Sequence, residues 1–123
     1  MLGSAKLVAF AAASDAARSR AFYRDVLGLK LISEDAFALV FDAHGTTLRL
    51  SLVKEVAAAS YTVLGWEVGD ITAAVGALSA AGVRFERYPW MEQDDLGVWH
   101  APGGARVAWF KDPDGNLLSL SQL

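Results

Sequence analysis

The chain has 123 residues, of which 54% are hydrophobic and 20% charged, so it holds enough apolar material for one compact domain or two half-domains. Acidic residues number 14 against 11 lysines and arginines, and the net charge of −3 gives no basic surface for nucleic acid or anionic membranes. The absence of cysteine excludes a disulfide framework, a thiolate metal site and a cysteine nucleophile.

The first half of the chain predicts a strand, a helix and three further strands. The apolar run Leu7–Ala13 lies in a predicted strand over 6–13 and is far shorter than the roughly 20 residues of a membrane span. With no leader-like segment either, we expect a cytoplasmic protein without a membrane partner. Ser14 and Asp15 supply oxygens that cap a helix, which ends at Gly28. The three strands that follow are predicted over 29–33, 37–41 and 47–53.

The second half predicts the same order of elements. A strand is predicted over 61–68, and Asp70 precedes a helix that ends at Gly82. Three further strands are predicted over 83–87, 106–110 and 117–122.

The two halves align as an internal repeat. Asp15 and Asp70 correspond at an offset of 55 residues, whereas the later strands correspond at an offset of 70. The difference places an insertion between Arg87 and Arg106. The sequence therefore predicts an α+β fold of two βαβββ modules within a single domain, 1–123. The predicted parts are a first module over 5–53, a linker over 54–60, and a second module over 61–123 with an insertion at 88–104.

Three motifs carry a resemblance to a known superfamily. They are Phe22-Tyr-Arg-Asp-Val-Leu-Gly-Leu29, Trp66-Glu-Val-Gly-Asp70 and Asp112-Pro-Asp-Gly-Asn116. In these motifs and in its repeat the chain resembles the vicinal oxygen chelate superfamily, which includes glyoxalase I, extradiol dioxygenases and bleomycin resistance proteins. The resemblance implies curved mixed sheets around a cavity, with the helices outside, and a homodimer.

In metal-dependent members of that superfamily, each module lends one ligand from its first strand and one from its last. Carried over by motif spacing, these positions are occupied here by Val8 and Arg49 in the first module, and by Val63 and Ser119 in the second. Valine offers no lone pair, and an arginine places a positive charge where a dication would lie. We therefore expect no metal and no other cofactor.

Strand alternation places several polar side chains on the same face as these positions. Arg49 and Ser51 share a face of one strand, and Glu67 shares a face with Val63. Arg49 is suited to binding a carboxylate or phosphate, or alternatively to pairing internally with Glu67. Glu67 is also a candidate general base if it is buried.

The insertion holds the most unusual side chains of the chain. Trp90 and Trp99 suit a lid over a flat apolar ligand, although they equally suit pinning the loop or filling a dimer interface. His100 is a candidate for proton transfer or an ordinary surface residue. Trp66 is predicted to be core, and the face of Trp109 is left open.

These features favour a metal-free member that binds a small organic ligand. The candidate ligand-binding residues are Arg49, Ser51, Glu67, Trp90, Trp99, His100 and Ser119. The first alternative is a lyase, isomerase or dioxygenase that is metal-independent or has a non-standard metal site, with Glu67 or His100 as acid–base group. The second is a module that acts only through its dimer surface.

Overall fold

A computed structural model describes all of residues 1–123, which divide into two compact units over 1–57 and 58–123. Each unit contains a four-stranded mixed sheet and has the order strand, helix, strand, strand, strand. This confirms the predicted α+β class with two βαβββ modules. None of the helices has the length and apolar character needed to cross a membrane.

The first unit begins with a short 3₁₀ turn, Leu2–Ser4. Its helix α1 continues directly into a π-helical turn, Ala21–Val26. Asp15 caps this helix as predicted, since its carboxylate accepts a hydrogen bond from the amide of Arg18 at 2.9 Å. The elements of the first unit are β1 (Val8–Ala13), α1 (Ala16–Arg20), β2 (Lys30–Glu34), β3 (Ala38–Ala43) and β4 (Thr46–Leu52).

The first sheet has the order β1-β4-β3-β2, with β1 and β4 parallel. Its helix-facing side is the core of the unit, where the ring of Tyr23 lies 5.8 Å from that of Phe41. The other side, which we name the first open face, carries Val8 and Phe10 of β1 beside Arg49 of β4. Phe10 is 60% exposed on this face.

The second unit repeats this arrangement. Asp70 caps α2, because its carboxylate accepts from the amide of Ala73 at 3.0 Å, and Gly82 follows the helix with a φ of 96°. The elements of the second unit are β5 (Leu64–Glu67), α2 (Ile71–Ala80), β6 (Trp99–His100), β7 (Arg106–Lys111) and β8 (Leu117–Gln122).

The second sheet has the order β5-β8-β7-β6, with β5 and β8 parallel. Phe110 of β7 is fully buried in the core, where its ring is stacked 6.5 Å from that of Trp66. Trp66 therefore lies on the core side of the sheet, as predicted. Register pairs Trp109 with Ser119 and Gly65 with Ser119, so these three residues share the opposite side, the second open face.

The strand predicted over 83–87 does not form as a regular strand. An isolated bridge from Phe85 to Phe110, the hydrogen bond from the Glu86 amide to the Trp109 carbonyl, and side-chain contacts join this segment to β7. The chain then leaves the sheet and returns at Trp99, which pairs with Val107. The insertion therefore interrupts the second strand of the module. Two short segments, one at Phe85 and one at Trp99, lie along β7 where a single strand was predicted.

Candidate functional site

The second unit contains a cavity of about 670 Å³, which lies within the range of small-molecule sites. It is formed by the segment before β5, the start of the insertion, and the adjoining ends of β7 and β8. Its lining residues are Ala58, Ala59, Ser60, Tyr61, Thr62, Glu86, Tyr88, Trp90, Met91, Trp109, Lys111, Gly115 and Leu117.

Four aromatic rings line this cavity, and we name three of them, Tyr88, Trp90 and Trp109, the aromatic wall. The ring centroid of Tyr88 lies 5.0 Å from that of Trp90 and 5.7 Å from that of Trp109. The ring of Trp109 also packs against that of Trp99, with 6.2 Å between the ring centroids. Trp90 is 76% exposed, an unusually large apolar area left in contact with solvent. Such a wall offers ring faces against which a planar ligand can stack.

Side-chain hydrogen bonds hold the insertion that carries Trp90. The carboxamide of Gln93 accepts from the Tyr88 amide at 2.8 Å and donates to the carbonyls of Glu86 at 3.0 Å and Gly97 at 2.8 Å. The guanidinium of Arg87 donates to two carbonyls further along the insertion, each at 2.6 Å. These bonds join both ends of the loop, so the aromatic wall is formed before any ligand arrives.

The charged groups of the cavity are one acid and one base. Nζ of Lys111 lies 3.5 Å from Oε1 of Glu86, and the two side chains are 53% and 26% exposed. An ion pair of this length and exposure contributes little free energy. Burial raises the pKa of Tyr88, and the Glu86 carboxylate, which lines the same cavity, raises it further.

His100 lies outside this cavity, in a second depression of about 520 Å³ that it shares with Asp94 and Met91. Its Nε2 is 3.4 Å from Oδ2 of Asp94. Burial of Asp94 opposes ionisation, but hydrogen bonds from the amides of Val98 and Leu96 outweigh it and lower the pKa of Asp94. The carboxylate is therefore charged at neutral pH and faces the imidazole.

The structure separates the other predicted site residues of the second unit. Ser119 is buried beside Gly65 and pairs with Trp109, but it does not line the cavity. Glu67 is exposed in a separate cleft of about 390 Å³ with Gln122, so the burial on which its general-base interpretation depended is missing. Among the predicted residues of this unit, only Trp90 lines the cavity directly.

Arg49 and Ser51 lie together on the first open face, as strand alternation predicted. Arg49 is half-buried and takes part in none of the ion pairs or side-chain hydrogen bonds of the first unit. Hydrogen bonds from the amides of Phe37 and Ala38 lower the pKa of Asp35, and the charge of Arg49 adds a smaller effect in the same direction. Because its guanidinium is free of these bonds, Arg49 can donate hydrogen bonds to a carboxylate or phosphate.

The side chains at the four positions that the family resemblance implies do not fit a metal ion. Val8 and Arg49 lie on the first open face, and Val63 precedes β5 in line with the face that carries Ser119. Two valines offer no donor atom, a guanidinium repels a cation, and one hydroxyl is too few. Nowhere in the 123 residues do three or more His, Cys, Asp or Glu side chains converge.

Sequence reasoning missed most of the cavity. Tyr88, Glu86 and Lys111 were not singled out, and the face of Trp109 was left open, although alternation along β7 places Trp109 and Lys111 on one side. That alternation was the available signal. The signal was ambiguous because β7 carries apolar residues on both faces, so that either Trp109 or Phe110 could have been the core residue.

Comparisons with known proteins agree with this architecture. A family model described as the Glyoxalase/Bleomycin resistance protein/Dioxygenase superfamily matches residues 7–120. No curated protein matches the chain significantly.

Solved structures of similar fold cover nearly the whole chain. One is a member of the Glyoxalase/bleomycin resistance protein/dioxygenase superfamily from Sphaerobacter thermophilus, with a TM-score of 0.74, 22% identity and coverage of 100% of both chains. Another is a lactoylglutathione lyase from Agrobacterium tumefaciens, with a TM-score of 0.74, 19% identity and coverage of 97% of this chain and 93% of that one. At such identities the likeness shows the fold alone.

Proposed function

Because this chain belongs to the Glyoxalase/Bleomycin resistance protein/Dioxygenase superfamily, we propose that it binds a small planar organic molecule without a metal ion, in the cavity of its second module. The observation that carries the proposal is the aromatic wall, in which Trp90 leaves a large ring area uncovered beside a cavity of ligand size. The unsuitable donor set at the four family positions supports metal independence.

Calorimetric titration with a panel of planar metabolites and antibiotics, in the presence of a chelator, tests this proposal. Binding is expected for a subset of the panel and is expected to fall at least tenfold in Trp90→Ala, which removes one ring of the wall. Phe37→Ala is the matched control, because Phe37 is 74% exposed in the first unit and outside the cavity. Unchanged affinity in Trp90→Ala, or dependence on added metal, would refute the proposal.

The remaining predicted ligand contacts are proposed separately for each unit. Arg49 and Ser51 form a separate candidate contact for an anionic group, supported by the unpaired guanidinium on the first open face. Trp99 acts through its packing on Trp109, and Ser119 through its place beside the same ring. Arg49→Ala is expected to weaken the binding of carboxylate or phosphate probes to the first unit, and unchanged affinity for these probes would contradict this role.

Enzymatic activity without a metal is the second candidate function. The specific observation in its favour is the His100–Asp94 pair, because a charged carboxylate orients an imidazole and supports its role in proton transfer. Turnover of a panel of lyase and isomerase substrates, abolished in His100→Gln, would support it. Turnover that persists in this variant would remove His100 from the mechanism. We place Glu67 second because it forms none of the ion pairs of the second unit, whereas His100 is paired with Asp94.

We also propose that the protein is a cytoplasmic homodimer. Strands β1 and β5 each pair with one neighbour only, and exposed sheet edges favour pairing with a second copy. The exposed Val8 and Phe10 on the first open face add apolar area to such a contact. Light scattering that gives a 13 kDa species would refute the dimer, and cell fractionation tests the location.

A further inference from the structure

The cavity of the second unit has an asymmetric distribution of charge. Glu86 and Lys111 are the charged side chains that line it. The backbone of Glu86 is held in place, because its amide donates to the Trp109 carbonyl at 2.7 Å and its carbonyl accepts from Gln93, and its side chain is only 26% exposed. Lys111 is twice as exposed and is joined to Glu86 only by the 3.5 Å contact. The carboxylate is therefore the more enclosed of the two charged groups, whereas the ammonium can move into solvent.

The aromatic wall adds to the effect of Glu86. The faces of aromatic rings carry negative potential, so they attract a cation placed against them. Tyr88 contacts both other rings of the wall and lies within the electrostatic range of the Glu86 carboxylate. The rings and the carboxylate thus act in the same direction on a charged ligand.

We propose that the cavity selects organic cations, such as alkylated ammonium groups on a flat ring, with the cation held between the aromatic wall and the carboxylate of Glu86. Lys111 leaves Glu86 as the ligand enters, and its ammonium becomes solvated. This proposal rests on the proposed binding function and names the chemical class of its ligand.

Three probes that share one ring and differ in charge test the proposal. They are (4-hydroxyphenyl)trimethylammonium, its neutral isostere 4-tert-butylphenol, and the anion 4-hydroxybenzenesulfonate. By calorimetry, the cation is expected to bind roughly tenfold more tightly than the neutral probe, and the anion least tightly.

Two variants of exposed or half-exposed side chains give opposite expectations. Glu86→Gln is expected to reduce the preference for the cation over the neutral probe to within about twofold. Lys111→Gln is expected to increase affinity for the cation several-fold, because the competing ammonium is removed. Glu92→Gln, which removes an exposed carboxylate outside the cavity, is the matched control and is expected to change nothing.

The outcomes separate this inference from the proposed function. Equal binding of cation and neutral probe, or tightest binding of the anion with loss in Lys111→Gln, would overturn the cation selectivity while leaving a ligand-binding cavity. Failure of all three probes, together with failure of the planar panel, would remove the proposed function itself.

Discussion

Gln93 is the side chain that joins the two ends of the insertion, and Gln93→Ala is expected to open this loop. The change removes three hydrogen bonds, to the Tyr88 amide and to the carbonyls of Glu86 and Gly97. At about 1 kcal/mol for each bond, the closed loop loses about 3 kcal/mol, which corresponds to roughly a hundredfold in its equilibrium with open forms. The free energy of global unfolding is expected to fall by less, because the loop can open locally.

Amide hydrogen exchange measured by NMR checks this expectation. The Tyr88 amide should exchange roughly a hundredfold faster in Gln93→Ala, and the affinity for a planar ligand should fall because the aromatic wall is no longer preformed. Glu92→Ala, a neighbouring exposed change, is the control and should leave both quantities unaltered. Unchanged exchange at Tyr88 in a folded Gln93→Ala protein would refute the assignment of loop order to this carboxamide.

Three further predictions concern stability. A Cβ at Gly65 would lie 2.8 Å from Oγ of Ser119. Gly65→Ala should therefore lower the free energy of unfolding in urea by about 1 kcal/mol or more beyond its effect in a Ser119→Ala background. Equal effects in the two backgrounds would contradict the register of β5 and β8. Since the amide hydrogen bonds lower the pKa of Asp94 in the folded chain, its carboxylate contributes stability above its ordinary pKa of 3.8. This contribution is lost as the pH falls through the lowered value. Exchange protection of the Val98 amide should therefore decline below that pH, and an identical decline in Asp94→Asn would contradict the assignment. Phe110→Ala should lower the free energy of unfolding by about 3–5 kcal/mol, because the ring is fully buried, and a loss below about 1 kcal/mol would be inconsistent with that position.

The architecture was predictable because local signals and the repeat agreed. Asp15 and Asp70 cap their helices through their own carboxylates, and Gly28 and Gly82 adopt positive φ after them. These chemical constraints act within a few residues, so they can be recognised in a sequence. The corresponding order of elements then determined two equivalent sheets.

The position of the insertion within the sheet was not predictable. The repeat bounded it between Arg87 and Arg106, but whether it lay inside a strand depended on distant pairing. Phe85 meets Phe110 and Trp99 meets Val107, contacts that the local pattern does not encode. Tertiary pairing decides strand content in such segments.

The candidate site was predictable only in part. Trp90 was identified because an aromatic residue in a long insertion is unusual, whereas Glu86 and Lys111 looked like ordinary surface charges in the sequence. Their importance depends on the cavity, which forms only when β7, β8 and the insertion are brought together. Strand alternation placed Arg49 on the correct face, but only the structure shows that its guanidinium has no ion-pair or hydrogen-bond partner.

The central claim is that a planar ligand binds the aromatic wall without a metal ion, and indole N–H signals test it most directly. The chain has four tryptophans in different environments, so their NMR signals report where a ligand binds. During titration in the presence of a chelator, the signals of Trp90 and Trp109 are predicted to shift, while Trp66 in the core keeps its position. The account would be contradicted if the Trp90 and Trp109 signals did not shift during the titration, or if they shifted only after a divalent metal was added.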